Sequence, residues 1–513
     1  MERMRKFLKF LSQRIVIVTF LIFLQIMWFV GMFLKVTSYS QYITAAFKIL
    51  SILVVIYIMN RSDNPSVKLG WIVVILLFPL FGGLLYLTIG GKQPISHLRR
   101  KLEPMIEESA RHLKADPKIE QELKEKDGST ASQIYYLEHQ SGFPAYKDSK
   151  VDYYPSGEDC FKVMAEELRK AKEYIYLEYF IIEEGIMWNT ILDILEEKVK
   201  EGVDVRVMYD DVGCIFNLPS HYADFLRKKG IKCIVFNRYI PIFSTVFNNR
   251  DHRKILVIDG DVAFTGGINF ADEYINEKMR FGHWKDTGFM LRGEAVAGFT
   301  AMFLEMWNVN DEHIEDCGEY IQASKKYSVS TDGFVIPFGD TPLDEVYVGK
   351  RAYINNLNNA SEYTYIMTPY LVIDDEMYEC MKYAAQRGVD VKIIMPHIPD
   401  KKYAFYLART YYKELLKAGI EIYEYTPGFV HAKMSISDGK KAIVGTVNHD
   451  YRSLYLHYEC AAYMLNVPAV MDIERDFKDT LELSQQITLE DVKHFNIFTK
   501  ILGHIIRLVA PLL

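Results

Sequence analysis

The sequence predicts an α/β fold of two tandem half-domains forming a pseudo-twofold unit, preceded by apolar N-terminal helices. Three observations predict it. The pattern H-x-K-x4-D occurs at His252, Lys254 and Asp259 and again at His431, Lys433 and Asp438. Matching strand-like and helix-like segments recur ahead of both copies. Apolar runs fill much of the chain before residue 92.

The N-terminal region, 1–92, reads as a membrane segment. Ile15 to Leu34 and Leu69 to Ile89 carry no formal charge, and a helix of about 20 such residues spans roughly 30 Å, the thickness of a bilayer core. Ile43 to Met59 contains Lys48, which can snorkel to the headgroups. Transmembrane helices are therefore expected near 15–34, 43–59 and 69–89. Arg3, Arg5, Lys6, Lys9 and Arg14 precede them, and Lys92, Arg99, Arg100 and Lys101 follow. Both basic flanks favour the cytoplasm, whereas three spans place them on opposite sides, so the number of spans stays open. Residues 93–134 are charged and read as a linker.

The first half-domain is expected over 135–325 and the second over 326–490. In the first, Ala171 to Tyr176 opens a strand, a helix-like stretch surrounds Ile191 to Val199, and Gly202 leads into Val203 to Val207. In the second, Ala360 to Tyr365, Met377 to Ala385 and Gly388 to Ile393 repeat that order. Each is a βαβ unit, which predicts parallel strands joined by helices. From Phe495 to Leu513, apolar residues at three- and four-residue spacing predict an amphipathic helix within 491–513, read either as a core helix or as a foot on lipid.

The duplicated motif carries the chemistry. His252 and Lys254 alternate along an extended segment and so share a face. Two copies brought together supply two imidazoles and two ammoniums. Downstream turns add Gly266, Gly267 and Asn269 in one copy and Gly445, Thr446 and Asn448 in the other. That inventory suits a phosphodiester: Lys254, Lys433, Asn269, Asn448 and the Thr446 hydroxyl hold phosphate oxygens, one neutral His attacks phosphorus and the other protonates the departing oxygen. Asp259 and Asp438 complete the catalytic motifs, but the strand after each Lys carries them away from the centre, where they are expected to tie down a turn.

On these residues the chain resembles the phospholipase D superfamily over about 135 to 490. The resemblance implies two halves sharing one active site, with His252 as nucleophile and His431 as general acid, an order the residues alone leave open. It also implies a carboxylate behind each His, for which Glu459 is the candidate in the second half and Asp286 in the first. The apolar N-terminus, including the run from Asn64 and Pro65 through Trp71, Pro79, Gly83, Tyr86 and Gly90, resembles bacterial cardiolipin synthases. That implies transfer between two phosphatidylglycerol molecules, giving cardiolipin and glycerol.

Composition narrows the alternatives. A net charge of −7 argues against nucleic acid as the main partner. No metal-ligand spacing appears, so no cofactor is expected. The six cysteines form no C-x2-C pair, which suits a reducing compartment and a catalytic portion facing the cytoplasm. The competing functions are a phospholipase D-type hydrolase, a transferase using another alcohol, and a non-catalytic lipid-binding membrane scaffold. Oligomeric state is left open. The loops Phe236 to Asn249 and Pro396 to Ala404, which would choose the headgroup, carry no readable code.

Overall fold

The computed structural model describes residues 40–61, 64–78, 95–126, 128–238, 249–311, 314–324, 326–327 and 329–512, with positions 23, 26, 27, 82, 83, 85 and 86. The chain divides into two compact units, one of 98–238 and 250–503, the other of 1–97, 239–249 and 504–513.

The larger unit holds both half-domains. A seven-stranded sheet runs in the order Ser149–Tyr154, Gly288–Gly293, Val262–Gly266, Lys254–Ile258, Tyr174–Tyr179, Asp204–Asp210, Lys232–Phe236. A second sheet repeats it as Phe334–Asp340, His457–Leu465, Lys441–Gly445, Met434–Ser437, Tyr363–Met367, Asp390–Pro396, Glu421–Tyr425, with Ser484–Ile487 added at the edge. The expected βαβ units are present: Tyr174–Tyr179 and Asp204–Asp210 are parallel across the helix Ile186–Lys200, and Tyr363–Met367 and Asp390–Pro396 across Asp375–Gln386. Met187, Trp188, Ile191 and Leu195 form the buried stripe of the first helix and join Ile175, Leu177, Val205 and Val207 in one core. Asp374 caps the second helix by accepting from Met377 N.

Each sheet is parallel only in part. The motif strand Lys254–Ile258 runs antiparallel to Tyr174–Tyr179 and turns into Val262–Gly266, and Met434–Ser437 does the same with Lys441–Gly445. At each hairpin corner the motif Asp takes a positive φ, 52° at both Asp259 and Asp438, followed by Gly260 and Gly439. Asp-Gly tolerates this left-handed geometry, which tight hairpins require. The turn chemistry, and not a crossover helix, therefore sets the direction of the motif strands.

In the smaller unit, Ser40–Met59 and Pro65–Leu77 are helices, the second capped by Asn64 with Pro65 in its first turn. Val54, Ile58, Ile75 and Tyr86 pack together there. Of the span expected near 69–89, Leu69 to Leu77 belongs to the helix Pro65–Leu77, and most of the remainder lies outside the described residues. The span expected near 15–34 lies almost wholly outside the described residues. Among the described residues, no helix is long and apolar enough to cross a membrane.

Candidate active site

The two halves meet by exchanging strands. Arg250–Asp251, just ahead of the first motif, pairs with His457 and Tyr458 of the second half. Gly428–Val430, just ahead of the second motif, pairs with His283–Lys285 of the first. Backbone bonds extend both contacts, from His252 N to the Tyr458 carbonyl at 3.0 Å and from His431 N to the Lys285 carbonyl at 2.7 Å. Each motif His thus begins where its own half is stitched to the other. Asp210 anchors the first stitch, accepting from Asp251 N at 3.1 Å and pairing with Arg250 at 3.4 Å.

This stitching crosses the carboxylates. His252 Nδ1 donates to Glu459 at 2.9 Å, and His431 Nδ1 donates to Asp286 at 2.6 Å. All four side chains are buried. A carboxylate can only accept here, so it holds the proton on Nδ1 and leaves Nε2 of each ring as the free nitrogen. The first-half His relies on the second-half acid and the reverse.

Lys254 Nζ donates to the His252 carbonyl at 2.6 Å, and Lys433 Nζ donates to the His431 carbonyl and lies 2.8 Å from His431 Nδ1. Burial, with the neighbouring lysines, lowers the proton affinity of both imidazoles, to about 4 for His431 and well below its ordinary value for His252. His431 also depresses His252, and Asp286 partly restores His431. Burial likewise brings Lys254 down to about 8 and Lys433 to about 7. Burial alone would raise Asp286, but His431 and Lys433 outweigh it and hold the carboxyl below its usual value.

The remaining expected residues divide. Asp259 accepts from the main-chain N–H groups of Lys172, Glu173 and Tyr174, and Asp438 from those of Ser361, Glu362 and Tyr363. Both stand at the far end of the motif strands and touch neither imidazole. Thr446, expected on phosphate, donates its hydroxyl to Glu459 Oε2, with the Cys460 carbonyl at 3.1 Å as the alternative acceptor, so it braces the carboxylate behind His252. Asn269 is tied to Ile181 N at 3.0 Å and to the Tyr274 hydroxyl at 2.7 Å. Asn448 is buried and its Oδ1 has no hydrogen-bond partner among the described residues.

Two flanking rings escaped the sequence reading. Trp284 lies against His431 with ring centroids 5.4 Å apart, and His457 lies against His252 at 5.5 Å. They occupy matching places, opposite Phe429 and Arg250 in the two stitches. Their equal offset ahead of Asp286 and Glu459 was the available signal. His252, His457 and Glu459 bring three ligand atoms within 4.8 Å of one another, as do Glu108, His112 and Asp316, so either group could hold a metal ion. In the first, the Arg452 guanidinium donates to His457 Nε2 at 3.3 Å.

Two buried imidazoles beside two lysines, each braced by a carboxylate from the opposite repeat, define a phosphoryl-transfer site of the two-histidine kind. Comparison with known proteins places it further. The chain matches the family model "Cardiolipin synthase, PLD-like domain" over 164–307 and 353–481, and "Phospholipase_D-nuclease N-terminal" over 49–91. A cardiolipin synthase of Halalkalibacterium halodurans is 31% identical over 94% of this chain and 97% of its own. Cardiolipin synthase 2 of Bacillus anthracis is 33% identical over 90% and 89%. A Streptococcus mutans protein described as uncharacterized is 50% identical over 90% and 99%. Phosphatidylserine synthase of Haemophilus influenzae shares the fold, with a TM-score of 0.56 over 71% of this chain and 95% of its own, at 14% identity. The chain belongs to the family of cardiolipin synthases built on phospholipase D-like domains.

Proposed function

We propose that the chain is a membrane phosphatidyltransferase that converts two phosphatidylglycerol molecules to cardiolipin and glycerol through a phosphatidyl-histidine intermediate. The observation that carries this reading is the crossed pairing of His252 with Glu459 and His431 with Asp286. His252 Nε2 attacks phosphorus while the bond to the glycerol oxygen breaks, and His431, protonated on Nε2 as well as Nδ1 once the anionic phosphate is bound, delivers its Nε2 proton to that oxygen. A hydroxyl of the second phosphatidylglycerol then passes its proton to His431 and attacks phosphorus, and the P–N bond breaks. The assignment follows the resemblance to phospholipase D-like enzymes: His252 is the nucleophile, and His431, held to Asp286 at 2.6 Å, is the acid.

Lys254, Lys433 and Asn448 balance and orient the phosphate. The N-terminal apolar helices keep the body at the membrane, on the cytoplasmic side, where six unpaired thiols are stable. The test is incubation of the purified chain in mixed micelles with labelled phosphatidylglycerol and no added metal. Cardiolipin and glycerol are expected in equal amounts. Phosphatidic acid as the only labelled product would make the enzyme a hydrolase, and no turnover would favour the scaffold.

A further inference from the structure

We infer that the C-terminal helix Ile497–Val509 is a second, peripheral membrane contact that lies in the plane of an anionic lipid surface. Gly503 is the buried side of this helix: a Cβ there would meet the Tyr406 carbonyl oxygen at 2.4 Å and Thr410 Cγ2 at 2.9 Å. The helix therefore rests directly on the backbone of Lys402–Lys417. At about 100° per residue, Phe498, Ile501, Ile505 and Leu508 point away from Gly503. All four are exposed, Phe498 to 78% and Ile505 to 57%, and Ile497 and Leu502 widen the same face. So broad an apolar arc is uncommon on a surface that meets only water.

Charge selects the occupant. From Phe495 to Leu513 there is no acidic residue, and Lys500, His504 and Arg507 stand along one flank of the apolar arc. An apolar face edged by cations is the pattern of a helix embedded at the headgroup level of anionic lipid. Continuity points the same way. The short turn Ala510–Leu512 that closes the helix packs on Pro65–Leu77, which itself exposes Leu69, Leu76 and Leu77. The contact goes beyond the N-terminal attachment, because it places a second apolar surface against the bilayer at the other end of the chain.

The test uses the full chain with an environment-sensitive fluorophore at Phe498→Cys in a Cys380→Ser background, the remaining thiols being buried. It is reconstituted in vesicles of phosphatidylcholine with phosphatidylglycerol or of phosphatidylcholine alone. Blue-shifted emission, quenched by spin-labelled acyl chains and weaker without the anionic lipid, is expected. The same fluorophore on Lys493→Cys should stay water-like, and Ile501→Glu with Ile505→Glu should return the Phe498→Cys signal to water. Water-like emission at 498 would overturn the inference. So would a blue shift without quenching, which would mean that a second copy covers the face. Equal quenching in both vesicle types would overturn the anionic preference. The readout needs no turnover, so it stands or falls separately from the transferase reading.

Discussion

Around His252 the supporting acid is Glu459, braced by the Thr446 hydroxyl and flanked by the His457 ring; around His431 it is Asp286, which accepts from Thr287 N at 2.8 Å and is flanked by Trp284. The position matching Thr446 is Gly267, and a Cβ there would meet Asp286 Oδ1 at 2.0 Å. The carboxylate on the shorter side chain fills the room that a side chain at 267 would need. On the other side a longer acid leaves space for a hydroxyl that steadies it. A duplicated scaffold has thus settled on two local solutions for one task.

The sharpest break in the near-symmetry comes from the imidazoles. His252→Ala and His431→Ala should each lower transfer by about 10⁴-fold. They should differ in one respect: with an activated leaving group that needs no proton, only the His431→Ala protein should still accumulate labelled lipid on acid-quenched protein. Equal accumulation in both variants would reverse or erase the assigned roles.

Next in size are the backing groups. Gly267→Thr should displace Asp286 and lower kcat about 100-fold, whereas Thr446→Gly, which removes one hydrogen bond to Glu459, should cost about 10-fold. Comparable losses from the two exchanges would mean that the halves are backed alike. The pH dependence is similar in scale. Lys433 near 7 and Lys254 near 8 bind phosphate only when protonated, so kcat/KM for phosphatidylglycerol should hold below about pH 7 and fall as pH rises through 7 to 8. Lys433→Arg, which keeps its charge, should flatten the lower part of that fall.

The smallest catalytic effect belongs to the turn aspartates. Asp438→Asn should lower stability by about 1–3 kcal/mol and leave KM unchanged in the folded fraction. Burial alone would raise the Asp438 carboxyl, but the N–H groups of Tyr363, Glu362 and Ser361 prevail and lower it. Its stabilisation is therefore present above the unfolded carboxyl value and is lost as pH falls through the lowered folded one. Denaturant midpoints of the two proteins should converge in acid.

Much of this was legible without coordinates because it is local. H-x-K puts two side chains on one face of an extended segment, and the Asp-Gly corners at 259 and 438 announce hairpins. At Thr446 the amino-acid type leaves the partner open, because a hydroxyl serves a phosphate or a carboxylate equally well, and here it meets Glu459.

The amino-acid order by itself determined the repeat, the motif strands, the catalytic residue types and the greasy arc of the last helix, since each depends on neighbours a few positions apart. Which acid serves which imidazole was decided only by tertiary structure. His252 and Glu459 lie in different halves, as do His431 and Asp286, and they meet because short strands of the two halves pair with each other just ahead of each motif. Hydrogen-bond partners across such distances are selected by how the sheets join, and no spacing along the chain encodes that.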